Sequence, residues 1–96
     1  MSKDGSITLG NVKLWPPTGE MIVAGMPHHL SKEPARILGI LLEASPRVVT
    51  HDRLHSNIGS LKTQVARLRA FLRESGANVV IVTAKGIGLY AQEKKG

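Results

Sequence analysis

The sequence predicts an α+β domain with an N-terminal antiparallel sheet, three helices and a C-terminal β-hairpin. Three observations predict it. Residues 7–30 are short runs of β-formers broken by turn signals at Gly10-Asn11, Pro16-Pro17-Thr18-Gly19 and Gly25-Met26-Pro27. In residues 60–75, Leu61, Val65, Leu68 and Leu72 fall on one narrow stripe at about 100° per residue, the spacing of an amphipathic helix with one buried face. Val79 to Thr83 is β-branched with no helical period, and Ala84-Lys85-Gly86-Ile87-Gly88 can turn the chain back so that Leu89 to Ala91 pairs with it.

Taken in order, residues 1–6 read as a flexible N-terminus, 7–91 as the folded domain and 92–96 as a polar tail. Ile7 to Leu9 and Val12 to Trp15 are strands around Gly10-Asn11, two residues that tolerate positive φ. Glu20 to Ala24 is a third strand, and Gly25 to Pro27 turns the chain toward His28 to Leu30. So small a meander buries too little to stand alone, so it must lean on helices. Trp15, the only tryptophan, is expected to pack at that contact. Ser31 can cap the first helix and Pro34 is tolerated in its first turn. Ile37, Ile40, Leu41 and Ala44 repeat at i, i+3, i+4, i+7 before Ser45-Pro46 stops the pattern. Arg47-Val48-Val49 is an extended link, and Thr50 caps a brief second helix over His51 to Ile58, with Leu54 and Ile58 inward. Gly59-Ser60 is the expected joint, and Gly76 is placed to end the third helix.

Size and composition limit the function. Ninety-six residues make one domain, able to bury a little over about 60% of its unfolded surface without staples. With no cysteine there are no disulfides and no thiolate metal site, which suits a reducing compartment. No apolar run approaches the roughly 18 residues of a membrane span, and MSKDGSITLG lacks the apolar core of a signal peptide. A soluble cytoplasmic, nucleoid-associated protein with no membrane partner is expected. Net charge is +6, and it is not evenly spread. Residues 1–59 hold six Lys/Arg against five Asp/Glu, whereas residues 60–96 hold seven against two. That footprint asks for a polyanion. Nucleic acid fits better than anionic membrane, because the basic helix has no Trp or cluster of large apolar residues free to insert.

Beside the apolar stripe, Lys62, Arg69 and Arg73 lie on one flank of the third helix and Arg67 on the other, with Thr63, Ala66 and Ala70 between them. Small outward residues let a backbone come close, and cationic edges reach phosphates or guanine edges, so the helix can settle in a major groove. A merely solvated face explains the charge alone equally well; the neighbouring elements decide. Two helices joined by a glycine-containing turn, the second basic outside, form a helix-turn-helix. A hairpin directly after it, with a lysine and two glycines at its tip, completes a winged helix whose tip can lie on the adjacent minor groove or backbone. Nothing supports an enzyme, since there is no nucleophile elbow or comparable arrangement. His51 and His55 stand at i, i+4, yet no third and fourth ligand accompany them, so neither metal nor cofactor is expected. Gly86-Ile87-Gly88 lacks the third glycine and following helix of a phosphate loop. Duplex RNA is disfavoured because its major groove is too narrow for a helix.

Over residues 7–91 the chain resembles the DNA-binding effector domain of OmpR/PhoB-type response regulators. The likeness is carried by Leu9-Gly10-Asn11-Val12-Lys13-Leu14, Pro17-Thr18-Gly19-Glu20, Leu30-Ser31, Ser45-Pro46-Arg47-Val48-Val49-Thr50, Arg67-Leu68-Arg69 and Thr83-Ala84-Lys85-Gly86-Ile87-Gly88, in that order and spacing. The resemblance implies a four-stranded N-terminal sheet, three helices and a C-terminal hairpin. It implies DNA contacts at Ser60, Lys62, Thr63, Gln64, Ala66, Arg67 and Arg69 on the recognition helix and at Thr83 and Lys85 on the wing, and it places Arg47 and Arg53 near the DNA backbone. Arg73 joins them on charge.

The departures shape the expectation. Gln64 stands where the family usually has His, and Lys62 and Ala66 also differ, so a docking pose carries over but a base preference does not. No receiver domain precedes Met1, which implies a stand-alone effector domain controlled by something other than its own phosphorylation. The family's long loop for RNA polymerase is replaced by a tight turn. Leu89 follows the second glycine where the family has tyrosine, so Tyr90 should face the other way, exposed. The expected function is sequence-specific binding of double-stranded DNA by a small transcriptional regulator, a repressor or accessory factor rather than a phospho-regulated activator, monomeric in solution or bound in tandem on DNA. The competing expectation is a winged-helix protein-interaction module that modulates RNA polymerase or another transcription factor.

Overall fold

Two of the three turns in the N-terminal third are two residues long in the computed structural model, which describes residues 5–54 and 58–94, with the backbone alone at 58–60. The elements in chain order are β1 (Ile7–Leu9), β2 (Val12–Trp15), β3 (Glu20–Val23), β4 (Met26–His29), α1 (Lys32–Ala44), β5 (Val49–Thr50), α2 (His51–Leu54), α3 (Ile58–Glu74), β6 (Val79–Ala84) and β7 (Gly88–Glu93). The first four strands pair antiparallel in the order β1-β2-β3-β4. Pairing of Leu9 with Val12 leaves Gly10-Asn11 as the turn, and only Gly10 takes positive φ, the pattern of a type II′ hairpin. Pairing of Val23 with Met26 puts the next turn at Ala24-Gly25, with φ of 50° and 83° as a type I′ turn requires. The turn therefore comes earlier than the Gly25 to Pro27 expected from composition. Pro27 sits inside β4 because that strand is a free edge, where a missing amide costs no ladder bond. Ser6, expected in the free N-terminus, is buried.

Val12, Leu14, Met21 and Val23 alternate onto one face of this sheet and are fully buried with Ile37, Leu38 and Leu41 of α1 and Leu61, Val65, Leu68 and Leu72 of α3. The sheet leans on helices as expected, but not through Trp15. By period two Trp15 falls on the opposite face from Leu14, half-buried, with Lys13 Nζ 5.0 Å from its ring centroid. Aliphatic side chains make the contact instead. Ser31 occupies the N-cap of α1 with extended backbone, though its side chain makes no capping bond. In the middle of α1, Gly39 admits the β2–β3 turn: a Cβ there would stand 2.9 Å from Pro16 Cγ.

The link after α1 is more than a link. Val49 and Thr50 pair with Leu89 and Gly88, making β5 the third strand of a sheet ordered β5-β7-β6. Gly88 allows it, since a Cβ at that position would collide with the Val49 carbonyl. Strand β7 runs on to Glu93, into the expected tail, because the backbones of Gln92 and Glu93 pair with Val80 and Val79 while their side chains stay in solvent. Gly59 and Ser60 lie within α3 rather than at its joint. A glycine in a first turn costs little there, where helical amides have no intrahelical partner to lose. Ile58, expected to end the second helix, instead opens α3, and α2 is described only to Leu54; residues 55–57, among them His55 of the i, i+4 histidine pair, lie outside the described residues.

Two asparagines tie the halves together. Asn11 N–H donates to Asn78 Oδ1 and Asn78 N–H donates to Asn11 Oδ1, both at 2.9 Å, while Asn11 Nδ2 donates to Gly76 O at 3.1 Å. Gly76, at φ 82°, closes α3 as its sequence position predicts.

Candidate nucleic-acid interface

The stripe Leu61, Val65, Leu68 and Leu72 turns inward, so the opposite side of α3 is presented by default. Lys62, Thr63, Ala66, Arg67, Arg69 and Arg73 are exposed there. The side chain of Ser60, another expected contact, lies outside the described residues. Gln64 is half-buried, and its Oε1 is shielded from solvent without a hydrogen-bond partner among the described residues. It lies on the flank nearer the N-terminal sheet, the flank on which Phe71 meets His28 edge to face at 5.2 Å between ring centroids. Gln64 is therefore less outward than its neighbours.

The wing meets α3 through Arg69. Its Nε donates to Ile81 O at 3.1 Å and its Nη2 to Thr83 Oγ1 at 2.6 Å. A guanidinium presents its donors in a fixed fork, so this pair of bonds sets the hairpin's orientation relative to the helix. At the tip, Gly86 takes φ 78° and Ile87 N–H closes the turn on Ala84 O at 2.9 Å, leaving Lys85 exposed and Ile87 58% exposed.

Between helix and wing lies a cleft of about 540 Å³. Lys62 and Arg69 line it from α3, and Thr83 and Lys85 from the hairpin; His51 of α2 reaches it as well. Among the described residues no carboxylate lines it. Such an opening, cationic on both walls, suits the strand of phosphates that separates two grooves of a duplex. His51 was legible only as half of a histidine pair; its place in the cleft depends on β5 folding α2 against the wing, which no local pattern announces.

The other expected contacts are not gathered there. Arg67 borders a separate hollow with His28, Phe71 and Glu74, across the outer face of α3 from the cleft. Arg73 flanks a groove behind the wing with Lys94. Arg47 and Arg53 line a small pocket with Glu43, near the end of α1. They form a second basic patch, partly offset by that carboxylate. Tyr90 does face away from Leu89, but it is half-buried on the outer side of the hairpin, opposite Val82.

No family model and no curated protein matches the chain. Solved structures do. The DNA-binding domain of the response regulator AdeR, solved in complex with an intercistronic region, superposes with a TM-score of 0.77 at 16% identity, covering 90% of this chain and 97% of that one. This chain has the winged-helix fold of response-regulator DNA-binding domains. The C-terminal domain of the nisin resistance regulator NsrR, a lantibiotic response regulator, gives the same TM-score at 24% identity and covers 93% and 99% of the two chains. The winged helix here thus includes the four-stranded N-terminal sheet that the resemblance implied. Among the described residues no helix is long and apolar enough to cross a membrane.

Proposed function

We propose that this winged helix binds double-stranded DNA, with α3 in a major groove and the Lys85 tip on the flanking backbone or minor groove, and acts as a small transcriptional regulator. The observation that carries the reading is the carboxylate-free cleft whose two walls bear Lys62, Arg69 and Lys85. Support comes from the AdeR domain of the same fold, which was solved on DNA. Ser60, Lys62, Thr63, Gln64, Ala66, Arg67 and Arg73 are the proposed helix contacts. Thr83 and Lys85 are those of the wing, while Arg47 and Arg53 add backbone contacts from the second patch. Arg69 is placed differently, as the residue that holds the wing at its working angle.

If Lys62, Arg67, Arg73 and Lys85 each neutralise one phosphate, log affinity falls with log salt at a slope of about −3.6, and Arg47 and Arg53 would each add about −0.9. Titrating labelled duplexes over a range of salt measures that slope, and selection from random duplexes shows whether a motif exists and whether it is single or repeated. Absence of binding to any duplex at low salt, or affinity indifferent to salt, would remove the proposal. With three residues between α2 and α3, in place of the family's long loop, occupying duplex sites fits repression or an accessory role better than direct activation.

A further inference from the structure

We propose that the free edge of β6 is a docking site for an extended acidic peptide, which joins the hairpin sheet as an added strand. Strand β6 borders the sheet ordered β5-β7-β6, so one of its sides pairs with β7 and the other pairs with no strand among the described residues. Arg69 identifies which groups face that side. It bonds the Ile81 carbonyl from the helix, away from β7. In an antiparallel strand the amide and carbonyl of one residue point the same way and alternate by two, so Val79, Ile81 and Thr83 present theirs to the edge. The Ala84 carbonyl, turned into the hairpin to accept from Ile87, agrees with this phase.

Beside the edge runs a groove of about 420 Å³, floored by Leu72, Ala77, Val79 and Ile81. Arg69, Arg73 and Lys94 rim it, and no acidic residue among the described residues lines it. On the hairpin's outer face Val80, Val82 and Tyr90 continue as a half-buried apolar strip. A strand laid along β6 alternates its side chains between these two settings. One set meets the cations toward α3 and the other extends the valine and tyrosine strip, which is the division of labour in strand addition: main-chain bonds for affinity and alternate pockets for selectivity.

Charge selects the occupant. A second copy pairing edge to edge would bring another Arg69, Arg73 and Lys94 against the first set, on a chain already at +6. A phosphate backbone would meet the cations but leave the apolar floor and the valine and tyrosine strip uncovered. An extended segment with carboxylates on one face and apolar residues on the other satisfies both surfaces. The inference does not depend on DNA binding, although its site shares Arg69 and Arg73 with the proposed DNA surface.

The test uses the full chain and a capped peptide of alternating valine and glutamate. Binding should shift the Ile81 and Thr83 amides and slow their exchange, leaving Val80 and Val82, already bonded to β7, little changed. Two further peptides carry backbone N-methyl groups, one on all valines and the other on all glutamates. Only one of these phases faces β6, so one methylated peptide should lose roughly tenfold or more in affinity while the other binds like the parent. Reversing charge in Arg73→Glu/Lys94→Glu should weaken the parent peptide by roughly tenfold as well. No binding of the parent at millimolar concentration, equal loss or equal retention for the two methylated peptides, or a dimer of the free protein held through β6 would overturn the proposal.

Discussion

The most informative single change is Arg69→Lys. Lysine keeps the charge but not the fork, so it cannot hold Ile81 O and Thr83 Oγ1 together in one geometry. Each of those bonds is worth about 0.5–1.5 kcal/mol net; with Arg69 and Thr83 both exposed, the lower half of that range applies, about 1 to 2 kcal/mol for the pair. Urea unfolding should show that loss at an unchanged m-value. Because the wing is then free to swing, DNA affinity should fall roughly tenfold, the equivalent of about 1.4 kcal/mol. The slope of log affinity against log salt should stay put, because no phosphate contact has been removed. Thr83→Val, which takes away one acceptor and no charge, should go the same way at about half the size. A salt slope shallower by about 0.9 in Arg69→Lys would show that Arg69 meets a phosphate. Full retention of affinity in both variants would refute the idea that these bonds set the wing.

Gly88→Ala should disrupt β5–β7 pairing, because its methyl would collide with the Val49 carbonyl; a loss of 3 kcal/mol or more is expected, roughly the upper range for single changes, by thermal or urea unfolding. Gly39→Ala gains about 1 kcal/mol of helix propensity yet pushes on the Pro16 ring at 2.9 Å, and a net loss of up to about 2 kcal/mol is expected from the same measurement. Leu68→Ala empties a fully buried position in α3 and should cost about 2 to 5 kcal/mol, accompanied by lost duplex binding only as far as folding is lost. Arg67→Ala should weaken binding of a selected duplex by about 1 to 3 kcal/mol if it reads a base, with relaxed preference at one position, and by a uniform smaller amount if it meets a phosphate.

Elements with a repeating pattern could be read from the sequence. Leu61, Val65, Leu68 and Leu72 announced both the buried and the outward side of α3, and Val79 to Thr83 announced the outgoing wing strand. What escaped were features set by partners distant in the chain. Two residues, Val49 and Thr50, are too few to show a period, so β5 emerges only from its pairing with Leu89 and Gly88. Trp15 was placed at the helix contact by size, whereas the pleat decides its face from Leu14 next door. Arg69 was read as a DNA contact from its charge and from the resemblance; that its fork also engages the hairpin depends on where β6 returns. At Ala24-Gly25 an alanine at positive φ concealed the turn, since composition credits such turns to Gly, Asn and Asp. The candidate site was legible as a basic helix and wing, yet the separation of Arg47 and Arg53 from the cleft was not.

The reciprocal bonds of Asn11 and Asn78 join positions 67 residues apart, and that distance bears on kinetics. Closing so long a loop is entropically expensive, so these bonds are expected to form after the folding barrier is crossed, once the helices and both sheets are in place. Asn11→Ala should therefore leave the refolding limb of a chevron nearly unmoved and shift the unfolding limb upward. The pair would then act as a latch on the finished molecule, lengthening its lifetime without hastening its assembly.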